Sequence, residues 1–359
     1  MLHALIMAGG GGTRFWPRSR QKRPKQFLTL TGDRTLLQQA CDRIEAQAAP
    51  ERTWIITGKA YVEETVRQVP HIPAAQIVGE PCGRDTAACI GLGAALIDRQ
   101  DANATMVVMA ADHVIEPVQE FRRAIQVAEH VVDEYPTALV TIGIPPSFPA
   151  TGYGYIHCGN EIVRRQGIGV YRVQGFREKP DTELAEQFVA TGEYFWNSGI
   201  FIWRARTILQ ALREKQLPLF AAVDRIAAAW NTGRREHVFQ EEYQRLEKIS
   251  IDYAVMERAD EVLMLRAPFH WDDVGSWLAL ERLHPHDADG NTVLAAHCGI
   301  NTKACIVAAE EGKLIATVGV DNLLIIHEGD AILVADRRDE AGIKKLVELL
   351  KTKGLEKYL

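Results

Sequence analysis

Directly after an apolar run of strand length, the chain carries Ala8-Gly-Gly-Gly-Gly-Thr-Arg-Phe-Trp-Pro17. Glycines let successive backbone N–H groups close around an anion and adopt positive φ without a Cβ clash. The loop has neither the Gly-Lys-Ser/Thr of a Walker motif nor the spacing of a dinucleotide-binding turn. Taken alone, a glycine run is as readily a flexible surface turn. Its neighbours change that weighting, because Arg14, Arg18, Arg20, Lys22, Arg23 and Lys25 follow within one short span containing Pro17 and Pro24. For most of these side chains a solvated basic loop is the ordinary expectation. A glycine nest beside this much positive charge nevertheless favours a polyphosphate, whose oxygens suit the arginine fork. Further on, Met106-Val-Val-Met-Ala-Ala-Asp112 reads as a buried strand ending in an acid. A carboxylate at that end of a strand, beside a phosphate loop, is placed to hold Mg²⁺; its plain alternative is a turn or helix-capping Asp.

The composition narrows the classes. A formal net charge of −6 over 359 residues, with 47% hydrophobic and 25% charged residues, describes a chain able to bury a sizeable core. It is the wrong balance for a general nucleic-acid binder, so an anionic ligand must be held by a local basic cluster. The run Leu2–Ala8 lacks a basic flank and is too short for a signal peptide or membrane span. The six cysteines form no C-x-x-C pair, and several sit in apolar runs as small hydrophobes. Reduced thiols and no targeting signal predict a cytoplasmic protein with no membrane partner.

The residues above need a scaffold, and the hydrophobic pattern supplies one. Strand-length runs at Leu2–Met7, Trp54–Thr57, Met106–Ala110 and Leu139–Ile144 alternate with amphipathic stretches near Leu36–Ile44, Ala60–Val69, Ala87–Ile97 and Phe121–Val132. That alternation predicts an α/β fold, a Rossmann-like, mostly parallel sheet with helices on both faces. Ligands then sit beyond the carboxyl ends of the strands. From Thr151 the pattern is mixed, with strands at Tyr155–His157, Val170–Phe176 and Ile200–Trp203 and helices around Leu184–Val189, Leu219–Trp230 and Ile251–Arg258. The Pro/Gly/Asp-rich stretch 284–291 marks a boundary, dividing residues 1–284 from a β-rich, short β-helix-like tail at 285–359, whose strand spacing resembles a small β-solenoid or sandwich. In the tail, strands at Ala304–Val307, Leu314–Val318, Leu323–Ile326 and Ala331–Val334 precede a helix with Ile343, Leu346, Val347 and Leu350 at i, i+3, i+4, i+7. Gly354 is its stop.

The segment A-G-G-G-G-T-R-F-W-P-R-S-R, followed by R-P-K-Q-F, resembles the signature of the sugar nucleotidyltransferases, most closely the mannose-1-phosphate guanylyltransferase branch. The resemblance implies that Gly9, Gly10, Gly12 and Thr13 cover the nucleotide phosphates, and that Arg14 and Lys25 contact the phosphates that leave as pyrophosphate. His270-Trp-Asp-Asp-Val-Gly-Ser-Trp277 is similar to the family's W-x-D-V-G-S-W, which makes Asp273 the second metal ligand beside Asp112 and leaves Asp272 in the variable place. Glu80-Pro-Cys-Gly-Arg-Asp-Thr-Ala-Ala88 resembles the base-site element E-P-x-x-R-N-T-A-P-A. There a carboxylate such as Glu80 suits the N1–H and 2-amino donors of guanine. Two positions depart from the pattern: Asp85 replaces Asn, and Ala88 replaces Pro. Asp85 either lines the base site or caps a helix beginning at Thr86.

Three more elements match in order: T-G-Y-G-Y-I at 151–156, F-R-E-K-P at 176–180 and W-N-S-G-I at 196–200. By resemblance Tyr153 and Gly154 lie against the sugar, Glu178 and Asn197 bind its hydroxyls, and Lys179 meets the sugar phosphate, with Asp273 nearby. Ser250–Glu257 also fits the family and reads as structural. The likeness implies synthesis of GDP-mannose and pyrophosphate from GTP and α-D-mannose 1-phosphate, with Mg²⁺ as cofactor and Arg14, Lys25, Asp112, Lys179 and Asp273 as the catalytic set. The sugar phosphate attacks the α-phosphorus in line, and the work is positioning and charge neutralisation. A homodimer is compatible with this reading, and nucleic acid is not a partner. The rivals are the same chemistry with another nucleoside triphosphate or hexose 1-phosphate, a non-catalytic nucleotide-sugar sensor, and RNA binding through the basic arm. The tail is too short for an appended isomerase domain of the cupin type, so transferase activity alone is expected.

Overall fold

The computed structural model describes residues 1–10 and 12–359. The first part of the chain follows the expected alternation: β1 (Leu2–Ala8), α1 (Leu36–Ile44), β2 (Thr53–Gly58), α2 (Val62–Gln68), β3 (Ile77–Glu80), α3 (Asp85–Gln100) and β4 (Thr105–Ala110). Then come β5 (Val114–Glu116), α4 (Val118–Glu134), β6 (Leu139–Ile144), the long hairpin β7 (Gly154–Arg165) and β8 (Ile168–Glu178), α5 (Thr182–Thr191) and β9 (Tyr194–Arg204). Helices α6 (Ala205–Lys215), α7 (Leu217–Ala229), α8 (Arg235–Gln244) and the short α9 (Ile251–Ala254) lead to β10 (Val262–Arg266), β11 (His270–Asp272) and α10 (Ala279–Leu283). The tail contains β12 (Thr292–Leu294), β13 (Ala296–Lys303), β14 (Ile306–Ala309), β15 (Leu314–Asp321), β16 (Leu323–Glu328), β17 (Ala331–Asp336) and α11 (Ala341–Thr352).

By its internal contacts the chain forms two compact units. The first comprises Met1–Gly9, Ala40–Ala111 and Ile115–Trp271. Its sheet runs β3-β2-β1-β4-β9-β6-β10-β8-β7. Pairing is parallel from β3 to β4 and between β6 and β10, whereas β9 is antiparallel to both β4 and β6. The expected α/β architecture therefore holds with a mixed sheet, because β9 returns between two parallel sets. Strand β1 is apolar on both faces apart from His3, and buried except for the half-buried Met7, as suits a strand covered on both sides. On one face Leu5, Met106, Val108, Phe201 and Trp203 share a core with α3, α6 and α7. Helix α3 is buried continuously from Ala87 to Ile97, which explains its nearly uniform apolar sequence. The alternate strand residues point to the opposite face, where α4 packs on β4 and β9.

The second unit comprises Gly10–Gln39, Asp112–Val114 and Asp272–Leu359. Its tail strands form two parallel stacks, β12-β14-β16 closed by antiparallel β17, and β13 beside β15. Corner residues Asn301, Ala304 and Asn322 take positive φ (52°, 48° and 57°), the sharp turns of a short β-helix. Gly354, at φ 68°, follows α11 as expected. The contacts cut the chain elsewhere than the sequence boundary at 284/285. Phe15, Trp16, Leu28, Leu30, Leu36 and Val114 share one core with Trp277, Leu280 and the apolar side chains of β14, β16 and α11. Among the described residues no helix is long and apolar enough to cross a membrane.

Candidate active site

The sequence-read residues fall into both units. Gly10, Gly12, Thr13, Arg14, Lys25, Asp112 and Asp273 belong to the second; Gly9, Glu80, Asp85, Tyr153, Gly154, Glu178, Lys179 and Asn197 belong to the first.

In the second unit Gly10 and Gly12 take positive φ (103° and 56°), and Gly11 lies outside the described residues. Gly12 is constrained twice over, since a Cβ there would lie 2.4 Å from Cβ of Lys25. The loop is closed by Ser19, whose hydroxyl donates to the Gly12 carbonyl (2.7 Å). Thr13 and Arg14 follow as the exposed part of a 3₁₀ turn, Thr13–Phe15. Phe15 packs against Trp277 with ring centroids 5.3 Å apart, and the Trp277 indole donates to the Trp16 carbonyl (3.1 Å). The aromatic residues of the glycine motif and of the D-V-G-S-W motif thus clamp the two segments together. That clamp sets up the central contact. Lys25, almost fully buried, donates from Nζ to Oδ2 of Asp112 (2.7 Å) and to the backbone carbonyl of Asp273 (2.5 Å).

Burial would raise the Asp112 pKa, but the Lys25 ammonium, with His113 close by, holds the carboxyl below its ordinary value. His113, which the sequence reading did not single out, has Nε2 3.9 Å from Asp112 Oδ1. The two neighbouring acids after β11 part company. Asp272 is buried, its carboxylate gripped by Arg282 (2.5 and 3.0 Å) and by the Val274 N–H (2.7 Å). Asp273 is half-buried and accepts from the Gly275 N–H (3.1 Å) across a turn in which Val274 is forced to φ 46°. A β-branched residue there is strained, and such strain concentrates at functional turns. The Asp112 carboxylate and the Asp273 carbonyl, both hard oxygens, already hold a cation in Lys25, and the Asp273 carboxylate belongs to the same residue as that carbonyl. This donor set fits a hard divalent ion that fills its shell with phosphate and water. No group of three or more His, Cys, Asp or Glu able to hold a metal occurs among the described residues.

In the first unit Glu80, ending β3, is buried, and Tyr243 of α8 donates its hydroxyl to the carboxylate. Burial pushes the Glu80 carboxyl up to about 7, against the lowering effect of that hydrogen bond. Gly9 lies over it; a Cβ there would sit 3.8 Å from Glu80 Oε2. Asp85 is exposed, starts α3 in the left-handed region (φ 66°) and accepts from the Thr86 N–H (2.8 Å). Helix α3 begins at Asp85, one residue earlier than the capping alternative supposed.

The elements read as the sugar side converge. Gly154 and Glu178 are register partners on β7 and β8, and a Cβ on Gly154 would fall 2.4 Å from Glu178 Oε2 and 3.6 Å from Cβ of Asn197. Lys179 takes φ 45°, donates its N–H to the Tyr153 carbonyl (3.2 Å) and brings Nζ 2.9 Å from Glu178 Oε1. The Glu178 contact raises the Lys179 pKa. Tyr153 lies edge-on to Trp196 and Trp271, centroids 5.1 and 5.2 Å away. The Asn197 amide donates to Asp252 (2.7 Å), a residue the sequence reading left as structural. Burial first, and then the charge of Glu178, raise the Asp252 carboxyl to about 6. Only the acid in S-I-D-Y could have signalled this partner, 55 residues from Asn197.

The basic arm departs from the solvated loop that was expected. Arg18 pairs with Glu328 (2.9 Å), Arg20 with Asp330 (2.9 Å), and Arg23 reaches Glu328 (3.5 Å). The Trp16 indole and Arg20 guanidinium both donate to the Tyr358 carbonyl (2.8 and 2.9 Å). These cations anchor the arm to the tail, whereas Lys25 turns to Asp112.

Residues 3–290 match the nucleotidyl transferase family, and residues 295–350 match the MannoseP isomerase/GMP-like beta-helix domain. A mannose-1-phosphate guanylyltransferase from Klebsiella pneumoniae is 38% identical over 361 residues, covering 100% of this chain and 76% of the relative. The alginate biosynthesis protein AlgA of Pseudomonas aeruginosa is 32% identical, over 98% of this chain and 72% of its own length. Among solved structures, a protein described as mannose-1-phosphate geranyltransferase from Thermus thermophilus superposes with a TM-score of 0.86 at 34% identity, covering 98% of this chain and 99% of the other.

Proposed function

The chain belongs to the nucleotidyl transferase family, and from that premise we propose that it makes GDP-mannose and pyrophosphate from GTP and α-D-mannose 1-phosphate. The observation that carries the reading is the Lys25 ammonium seated between the Asp112 carboxylate and the Asp273 carbonyl, beside a loop of positive-φ glycines. In this reading the N–H groups around Gly10 and Gly12, with Thr13, receive the triphosphate. Arg14 and Lys25 neutralise the charge that builds on the departing pyrophosphate. Glu80 and Asp85 belong to the base site. Tyr153, Gly154, Glu178 and Asn197 orient the sugar, and Lys179 steadies its phosphate.

The nucleophile is an ionised phosphate oxygen, so no general base is needed, and the task is to align two polyanions. Asp112 and Asp273 would hold Mg²⁺, which when bound neutralises charge around the α-phosphate. With the Lys25 ammonium on the Asp112 carboxylate and the Asp273 carbonyl, arrival of the triphosphate offers it a competing partner. The proposal includes a cytoplasmic enzyme with small-molecule partners, a catalytic part at 1–284 and a β-rich part at 285–359; a homodimer is compatible with it.

Asp85 and Ala88 favour one second reading, the same chemistry with a different base or hexose. Pyrophosphate release measured for four nucleoside triphosphates against mannose 1-phosphate and glucose 1-phosphate, with and without Mg²⁺, separates the two. The expected best pair by kcat/KM is GTP with mannose 1-phosphate. A clear preference for UTP or ATP sinks the GDP-mannose assignment.

A further inference from the structure

The Asn197 side chain has almost all of its hydrogen-bonding capacity committed. Its Oδ1 accepts from the Thr141 hydroxyl (3.2 Å) and the Gly199 N–H (3.4 Å), while Nδ2 donates to Asp252 Oδ1 (2.7 Å). A primary amide has two N–H donors, so one remains uncommitted by these contacts. Asn197 can then serve a ligand as a donor and not as an acceptor. Across Gly154, whose missing side chain leaves the space, the Glu178 carboxylate supplies the acceptor. A donor and an acceptor flanking one bare glycine form a reader of neighbouring hydroxyl groups.

What keeps the amide from turning over is Asp252. Thr141 and Gly199 would tolerate exchange poorly, but the hydroxyl has a second acceptor within reach in the Ile200 carbonyl (3.1 Å). The 2.7 Å contact to a carboxylate is the shortest and the one that carries charge, which makes it the strongest of the set. Asp252 is itself held firmly. It sits on α9, which Ser250 caps through the Tyr253 N–H (3.4 Å), and the Ile251 N–H donates to the Thr86 hydroxyl (2.8 Å) at the start of α3. The Ala87 N–H reaches back to the Ile249 carbonyl (3.2 Å). The first turn of this short helix thus touches both the element read as the base site and the amide read as the sugar site. The electrostatic cost of the arrangement is visible in Asp252 itself, whose carboxyl is raised by burial and by Glu178. A carboxylate kept beside another acid with no role would be a liability.

We infer that Asp252 is a positioning residue for the sugar phosphate, fixing the Asn197 amide as a hydrogen-bond donor opposite the Glu178 acceptor. The inference rests on the proposed reaction and assigns the acid a part in hexose recognition. It is tested by two substitutions. Asp252→Ala removes the acceptor and lets the amide turn; Asp252→Asn retains a carbonyl oxygen able to accept from Asn197. In the full-length protein, Asp252→Ala should raise KM for mannose 1-phosphate about tenfold while KM for GTP stays within about twofold of wild type. Asp252→Asn should recover most of that loss. A KM for the sugar phosphate unchanged in Asp252→Ala, or both KM values raised together, overturns the inference, the latter by showing that α9 is only a brace.

A readout independent of turnover separates this from the reaction assignment. In protein labelled with ¹⁵N-asparagine, the Asn197 side-chain pair, identified by its absence in Asn197→Asp, should show one strongly shifted proton. That shift should collapse in Asp252→Ala and persist in Asp252→Asn. Its absence in the wild type overturns the orienting role even if sugar transfer is confirmed. If no hexose 1-phosphate is turned over while the shifted proton is present, the reaction reading fails and the orienting contact stands.

Discussion

The ammonium of Lys25 lies 2.7 Å from the carboxylate of Asp112, although 87 residues separate them in the chain. The pair has a measurable consequence on the acid side. Asp112 is held below its ordinary pKa, so its contribution to stability is present above the unfolded value and is lost as pH falls through the folded value. Lys25→Met removes that contribution and leaves a carboxylate without its cation. The acid-unfolding midpoint should move to higher pH, while kcat/KM for GTP falls by about 10²-fold or more. An unchanged acid transition in a circular-dichroism titration would show that the contact carries no electrostatic weight.

Asp112→Asn and Asp273→Asn each remove one negative charge with little change of shape. Each should lose on the order of 3 kcal/mol of transition-state stabilisation, about 10²-fold in rate, and raise the concentration of Mg²⁺ needed for activity. The double variant should lose far less than the product of the two if they share one ion. Steady-state rates over a metal titration decide this, and multiplicative losses would separate the two acids.

Asp272→Asn is the companion test, because its carboxylate is engaged by Arg282 and the Val274 N–H. Weakening that grip should cost about 1–3 kcal/mol of stability, read by denaturant unfolding. A variant as stable as wild type but inactive would exchange the roles of the two neighbours.

Glu80 works in the opposite sense. Its carboxyl is raised to about 7, so the folded protein holds the proton more tightly than the unfolded chain. The stability from this preference is complete below the unfolded value and disappears as pH rises through about 7. A shift from 4.5 to about 7 corresponds to on the order of 3 kcal/mol at alkaline pH. Glu80→Gln, which cannot ionise and can still accept from Tyr243, should match wild type near pH 4.5 and melt higher at pH 8. It should also raise KM for GTP. Parallel melting curves across that range would exclude the raised pKa.

Gly154→Ala introduces a Cβ where the Glu178 carboxylate now lies. The acid must swing aside, so KM for mannose 1-phosphate should rise at least severalfold with GTP affinity spared. Unimpaired use of the sugar phosphate would remove Glu178 from the site.

Why some of this was legible in the sequence and some was not follows from the range of the interactions. Leu36–Ile44 and Leu139–Ile144 are observed with the bounds read from the sequence, since a 3.6-residue stripe and an uninterrupted apolar run are local signals. Strand β3, four residues long, and β10, a short apolar run that suits a buried helix equally, carry no such signature. Helix α8 is too polar along R-E-H-V-F-Q-E-E-Y-Q to declare a face. Lys25, Asp112, Glu178 and Asn197 were marked by residue type and by the order of their motifs. Asp252 and the acids that pair with Arg18 and Arg20 were not, because nothing local distinguishes a carboxylate that will meet a partner 55 or 310 residues away.

The bond from the Trp16 indole to the Tyr358 carbonyl spans 342 positions. During synthesis the glycine loop emerges long before the carbonyl that steadies its neighbour Trp16. At ribosomal speeds of roughly 5–20 residues per second, the arm waits about 20–70 s for that partner, with Glu328 and Asp330 reaching Arg18 and Arg20 only shortly before. A nascent chain therefore carries its glycine arm without these anchors until residues 328–358 have been made. The anchored form of the glycine arm becomes available only once residue 358 has been added, and contacts of such long sequence separation are slow for a folding chain to make.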